Sequence, residues 1–364
     1  MLTTDFSRLE HTRKREKLIE SSVVIIPLLG GIGVLTLFAV VFGASLNQVL
    51  ESYYKGFFDY FSISENLALG TAIIMMALGI SVAFKAGMIN IGAEGQLMIG
   101  GLTAVVVALN LYSLIPSSLI GILAFLSGGV AGLAWVSLPC FLKIKFGVNE
   151  ILTTVLMNYL AYYFVSYLLH GPLWSKYTNF PETDPIPIEA RFPRILPYLR
   201  VTWASIILVV LLTLTLHVFL SRISYGWKLQ IVGFNPSFAK ASGINISLYK
   251  AVSLLFSGFL SGLAGAYLVQ TLFYKMRMEV SAGYGFTAII TALAGRLNPI
   301  LVTLVSYFVV AIIGSCTTLA LLARLPIGLA YVFQSTLIII LLMCDYLVFK
   351  FKFRNVMRGL ISHE

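Results

Sequence analysis

The sequence predicts an all-α, polytopic membrane protein with about ten transmembrane helices, a broken third span and both termini cytoplasmic. Three observations predict it. First, 59% of the residues are hydrophobic and only 11% charged, against about a quarter charged in an ordinary soluble domain. Second, several windows run about 20 residues with almost no charge, the length a helix needs to cross the bilayer core. Third, the basic residues divide unevenly between alternate loops. The short alternating segments of a transmembrane barrel do not occur.

The elements follow in order. Residues 1–21 are polar and carry Arg8, Arg13, Lys14, Arg15 and Lys17. The apolar run after them, Ser22–Ala44, is too long for a signal-peptide core and is expected to stay as an uncleaved first span. Further spans are expected at Leu67–Phe84, Asn90–Leu111, Ser117–Leu142 and Ile151–Leu169. After a long loop come Val201–Leu220 and Ala251–Leu272. A short eighth, Gly285–Ala294, reads as half of a broken helix, and Ile300–Leu322 and Ile327–Phe349 complete the set. The membrane domain is thus 22–349, followed by a tail at 350–364.

Threading these spans alternately tests the arrangement. With the N-terminus inside, the cytoplasmic side receives the N-terminal cluster, Lys85, Lys143, Lys145, Arg222, Lys228, Lys240, Lys250, Arg296 and the tail's Lys350, Lys352, Arg354 and Arg358. The outside receives Lys55, Lys176, Arg191, Arg194, Arg200, Lys275, Arg277 and Arg324, eight of 25. That bias favours both termini inside, and it accounts for the net charge of +10 without a nucleic-acid partner.

Two connections are hydrophilic. The outer one, 170–200, contains six prolines and is expected to form a stiff, ordered flap. The inner one, 221–250, contains "GFNPSFAKASG", in which Asn235 suits an N-cap, Pro236 the first helical position and Gly243 the residue after the last turn. A short helix over Pro236–Ser242 is therefore expected, a natural handle for a partner protein.

No P-loop, HExxH or GxSxG stretch occurs, so ATP hydrolysis and intramembrane hydrolysis within this chain are not expected. Cys140, Cys316 and Cys344 lie in apolar runs without CxxC spacing, and the four histidines are scattered. Neither a metal site nor a cofactor is expected. The pairs Gly128/Gly132 and Gly258/Gly262 read as close helix contacts, and the repeated "TAII" at 71–74 and 287–290 as coincidence.

The stretch "FKAGMINIGAEGQLMIGG", Phe84 to Gly101, resembles the signature of ABC-importer permeases of the branched-chain amino acid, ribose and nucleoside type. "FGVNEILTTVLMNYLA" (Phe146–Ala161), "VGFNPSFAKASGI" (Val232–Ile244) and "GYGFTAIITALAGRLNP" (Gly283–Pro299) are similar to three further segments of that family, in the same order. The resemblance covers about residues 65–350 and is greatest to the nucleoside permeases that work with basic membrane lipoproteins. It departs at Ala294, where a bulkier aliphatic is usual. The resemblance implies a permease subunit in the bacterial inner membrane, a cytoplasmic ABC ATPase, a second, non-identical permease subunit and an extracytoplasmic substrate-binding lipoprotein. It also implies ATPase coupling through Gly233, Phe234, Asn235, Pro236, Phe238, Ala239, Ala241 and Gly243. A sugar importer of the same build, and an ion-coupled secondary transporter, remain the alternatives.

Candidate pathway residues come from the third and fifth spans. A carboxylate facing lipid is costly, so Glu94 is expected to face protein or a water-filled path. Gly92, Gly95, Gly100 and Gly101 are poor helix formers and are expected to break the span, with Asn90 capping its helical part. Glu94 and Gln96 would then bond neighbouring backbone or a substrate. Asn158, with Tyr159 and Tyr162 nearby, is the favoured polar position of the fifth span, either contacting solute or tying helices together.

Overall fold

Residues 36–324 are described without interruption in a computed structural model, together with positions 30, 32–34, 326, 328, 332, 335, 336, 339, 340 and 343. The N-terminal part of the expected first span, most of the expected tenth span and both terminal segments lie outside the described residues. Between them the chain forms α1 (Leu46–Phe58), α2 (Tyr60–Lys85), α3 (Ala93–Leu111), α4 (Ser117–Phe146), α5 (Glu150–Leu169) and α6 (Trp203–Arg222). It continues through α7 (Ser224–Phe234), α8 (Pro236–Ala241), α9 (Ile246–Leu268), α10 (Tyr284–Ala294) and α11 (Pro299–Leu322). Among the described residues, seven helices are long and apolar enough to cross a membrane: α2 to α6, α9 with its extension, and α11. The expected eighth span, α10, is 11 residues long, too short to cross by itself.

Local chemistry sets the element ends. Two helices were not expected, α1 and α7. A capping box places α1: the Ser45 side chain accepts from Gln48 N–H while Gln48 reaches back to the Ser45 N–H. The same device, Thr202 with Ser205, starts α6. Second, α2 begins at Tyr60 rather than Leu67, because the polar run Ser62–Asn66 stays helical and finds partners in the long loop. The Ser64 hydroxyl accepts the N–H groups of Arg200 (2.8 Å) and Val201 (3.0 Å), and Glu65 pairs with Arg200 at 2.8 Å. The turn into α7 depends on Gly226, where any side chain would overlap the Phe219 carbonyl.

The expected break in the third span is corrected. α3 runs without interruption from Ala93 to Leu111, and the irregular backbone precedes it at 86–92. Its glycines serve close approach instead. A methyl group at Gly100 would lie 2.5 Å from Gly262 Cα, and one at Gly262 would lie 2.9 Å from Gly132 Cα. The two glycine pairs thus face each other, and α3, α4 and α9 meet backbone to backbone along this seam.

Residues 60–310 form one compact unit. Within it α2, α3 and α9 are central, with 83%, 67% and 78% of their most apolar windows buried; α5 and α6 are peripheral, at 17% and 22%. A five-residue π-helix, Val269–Phe273, extends α9. From it Gln270 donates to the carbonyls of Gly121 (2.8 Å) and Ala190 (2.7 Å), the latter in the proline-rich loop. That loop also pairs Ile186 N–H with Tyr274 O at 2.7 Å and lays the Arg191 guanidinium 4.5 Å over the Tyr274 ring. The second unit holds the described residues up to 59 and from 311 onward; Ala39, Ala44, Val49 and Leu319 make its own apolar cluster.

Candidate functional site

The chain leaves α2 at Lys85, turns through Gly87 in the left-handed region (φ +72°) and re-enters helix at Ala93. The residue before α3 is Gly92, which has no side chain to offer the first turn's N–H groups. Those groups need acceptors from elsewhere. Asn158 on α5 supplies one: its Oδ1 accepts Gly95 N–H at 2.8 Å, while its Nδ2 donates to Ile91 O at 2.8 Å. One helical turn earlier, the Thr154 hydroxyl accepts Ile91 N–H at 3.3 Å. α5 therefore caps α3 from outside.

Asn90 does not cap α3. Its Oδ1 accepts Gly92 N–H at 2.9 Å, closing a local turn, and its Nδ2 donates to Gln96 Oε1 (3.0 Å) and Ser257 Oγ of α9 (2.9 Å). Gln96 Nε2 donates back to Asn90 Oδ1 at 3.1 Å. The two amides satisfy each other in a fully buried place, and Ser257 ties the pair to α9.

Glu94 points the other way, to the start of α10. Its Oε1 accepts the Ser281 hydroxyl at 2.5 Å and Gly283 N–H at 2.8 Å, and its Oε2 accepts Gly285 N–H. Gly283, in the left-handed region at φ +80°, is the residue before α10 and again has no capping side chain. Each of these partners is a donor, the set a carboxylate requires, and the helix N-terminus adds its own favourable dipole. Glu94 caps α10 as Asn158 caps α3.

The residues expected to couple to an ATPase sit at one end of the same segment. Gly233, near the end of α7, packs on the α2 exit so closely that a side chain there would overlap Lys85 O; Gly87 faces it from the other side. Lys85 Nζ reaches Gln230 Oε1 at 3.4 Å. Asn235 caps α8 by accepting Phe238 N–H at 3.0 Å, Pro236 occupies its first position, and Gly243 follows it at φ +72°. Ala239 is buried, while Phe234, Phe238 and Ala241 are exposed. Phe234, Asn235 and Phe238 join Trp227, Gln230 and Ile231 around an open cavity of about 500 Å³.

The four stretches singled out in the sequence, separate along the chain, thus meet at one junction. Residues 84–101 touch the second through Asn158, the third through Gly233 and the fourth through Gly285. Tyr159 and Tyr162 do not join it: they lie on the exposed side of α5 while Asn158 faces inward. Sequence reasoning missed Thr154, Ser257, Ser281, Gly283 and Gly285 as partners. The i, i+4 spacing of Thr154 and Asn158 on one helix face was the available signal for two of the contacts. Among the described residues, no group of three or more His, Cys, Asp or Glu could hold a metal ion.

Comparison with known proteins gives one family and several relatives. The family described as "Branched-chain amino acid transport system / permease component" matches residues 62–342. A glucose ABC transporter permease of Haloferax volcanii (TsgB13) is 29% identical over 79% of this chain and 77% of its own length. A guanosine ABC transporter permease of Bacillus subtilis (NupP) is 28% identical over 75% and 79%, respectively. A nucleoside ABC transporter permease of Lactococcus lactis subsp. cremoris (NupB) is 26% identical over 72% and 78%. No solved structure matches.

Proposed function

The chain belongs to the family of branched-chain amino acid transport permease components, and on that premise we propose that it forms part of the membrane path of a nucleoside importer. It is an ABC-transporter permease subunit and a multi-pass membrane protein, not itself an enzyme. In the proposed assembly a cytoplasmic ATPase supplies the energy, a second and related permease completes the path, and an extracytoplasmic lipoprotein delivers the solute. The subunit sits in a bacterial inner membrane with ten spans and both termini cytoplasmic. α8 and the exposed Phe234 and Phe238 then form the handle for the ATPase. Asn90, Glu94, Gln96 and Asn158 have protein partners for their polar atoms, which supports a role in fastening the helices beside the path.

The observation that carries the nucleoside reading is that relatives named for guanosine and nucleoside transport align over about three quarters of this chain. A sugar is the second reading, favoured by the relative named for glucose. Uptake by cells expressing the whole transporter separates them. Guanosine, inosine or uridine should compete with labelled nucleoside, and glucose and ribose should not. Uptake blocked by a sugar and untouched by nucleosides would overturn the nucleoside assignment.

A further inference from the structure

Two spans are about equally peripheral, yet their outward faces differ: α5 exposes Tyr159, Tyr162, Tyr163 and Tyr167 beside Ile151, Leu152, Leu156, Leu160 and Phe164, whereas α6 exposes no tyrosine. α6 is the most apolar of the seven candidate spans, and apart from Trp203 at its start and Thr215 its exposed side is aliphatic from Ile206 to Val218. That is a surface for lipid tails. α5 is the least apolar of the seven, although it is also the least buried.

Part of that difference is buried, at Thr154 and Asn158, and part lies outward in one stripe of tyrosines. Tyr159, Tyr163 and Tyr167 recur at i, i+4 and i+8, the spacing of a single helix face. They are 62%, 67% and 71% exposed, on the side opposite the buried stripe of Thr154, Asn158, Ala161 and Val165. Tyr162 lies off this line, edge-on to the Tyr163 ring at 5.5 Å. Aromatic belts place tyrosines at the lipid headgroups, which suits Tyr167 near the end of the helix. It does not suit the other two. At 1.5 Å per residue, Tyr159 lies about 14 Å from the Glu150 end of a helix about 30 Å long, at mid-membrane. A phenol hydroxyl there has no headgroup to bond, and an unpaired hydroxyl in hydrocarbon is disfavoured.

We propose that the Tyr159–Tyr163–Tyr167 stripe lines the solute path, running from mid-membrane to the end that carries the proline-rich loop, with the second permease subunit across from it. The stripe offers ring faces and hydroxyls in alternation, which fits an uncharged, planar or polyhydroxylated solute. Among the described residues no charged side chain lies within the outward face of α5 between Ile151 and Leu169, so the stripe offers no counter-charge to an anion. This inference rests on the permease reading above but not on which neutral solute is carried.

The test is cysteine accessibility in the complete transporter. Cysteine is placed at 159, 163 or 167 on α5 and at 207, 211 or 214 on α6, with the wild-type chain as background for the native thiols. A charged, water-soluble methanethiosulfonate should label the α5 positions at least ten-fold faster than those on α6. Guanosine should slow labelling of Tyr163→Cys about five-fold or more. Labelling no faster on α5 than on α6 would overturn the proposal, as would α5 labelling that no transported solute slows. Protection by glucose but not guanosine keeps the stripe and overturns only the nucleoside assignment. Tyr159→Leu and Tyr163→Leu provide a second reading that a lipid-facing position would tolerate. Each should lower uptake at least ten-fold at normal membrane abundance, and full uptake by both would also overturn the stripe.

Discussion

The side-chain oxygen of Asn158 accepts the backbone N–H of Gly95 at 2.8 Å, so an amide on α5 caps a helix whose own preceding residue, Gly92, has nothing to cap with. Removing that amide leaves a buried donor at Gly95 and a carbonyl at Ile91 without side-chain partners. Asn158→Ala is expected to destabilise the purified subunit by about 1–3 kcal/mol, the cost of unsatisfied buried groups. Thermal unfolding in detergent checks this, and an unchanged midpoint would remove the cap from the account.

Glu94 makes a sharper case, because its partners at Ser281, Gly283 and Gly285 all donate. Glu94→Ala should lose on the order of 3 kcal/mol or more, since bonds to a charged group are among the stronger ones. Glu94→Gln should recover only part of it. One amide oxygen can still accept, but the new NH₂ group must face an N–H or a hydroxyl. Full stability of the Gln variant would show that the carboxylate's second oxygen contributes nothing.

Glycine substitutions should separate by what surrounds them. At Gly285 a methyl group would sit 2.5 Å from Glu94 N, and at Gly262 it would overlap Gly128 O; Gly243 has open space around it. Gly285→Ala and Gly262→Ala should therefore deplete folded protein in the membrane. Gly243→Ala should cost only about 1–2 kcal/mol of left-handed backbone strain. Fluorescence-detected size exclusion of the three variants, side by side, would reveal the ranking.

For the ATPase handle, exposure decides which substitution is informative. Ala239 is fully buried, so a bulky residue there would damage α8 itself. Phe234 and Phe238 are exposed at 94% and 58%, and replacing either with Ser should leave the subunit folded. If these rings seat in the ATPase, Phe234→Ser and Phe238→Ser should each reduce its co-purification and uptake about ten-fold or more. Normal co-purification with both would place the contact elsewhere.

Much of this was legible in the sequence, for identifiable reasons. The long apolar runs determine the spans, and Asn235-Pro236…Gly243 delimits α8 to within a residue of its expected end, because capping is a local matter. Unlike these, α1 and α7 are short and lie between spans, where hydropathy carries little signal, although the Ser45–Gln48 box was there to be read. The junction was half legible. Glycines and polar side chains marked residues 84–101, but glycine in an apolar run fits both a broken helix and a close crossing, and the structure contains the second. Partners 63 and 189 residues away along the chain cannot be read from one sequence.

Those separations also bear on how the protein is made. Glu94 enters the membrane long before Gly283 exists, and at about 5–20 residues per second the intervening 189 residues take about 10 to 40 s to synthesise. Until α10 arrives, Glu94 lacks its donors at Ser281, Gly283 and Gly285 and must stay near water or the headgroups, or be held as the neutral acid. A chain cut short before Ser281 would keep Glu94 without the three donors it meets in the finished subunit, whatever else its helices had packed.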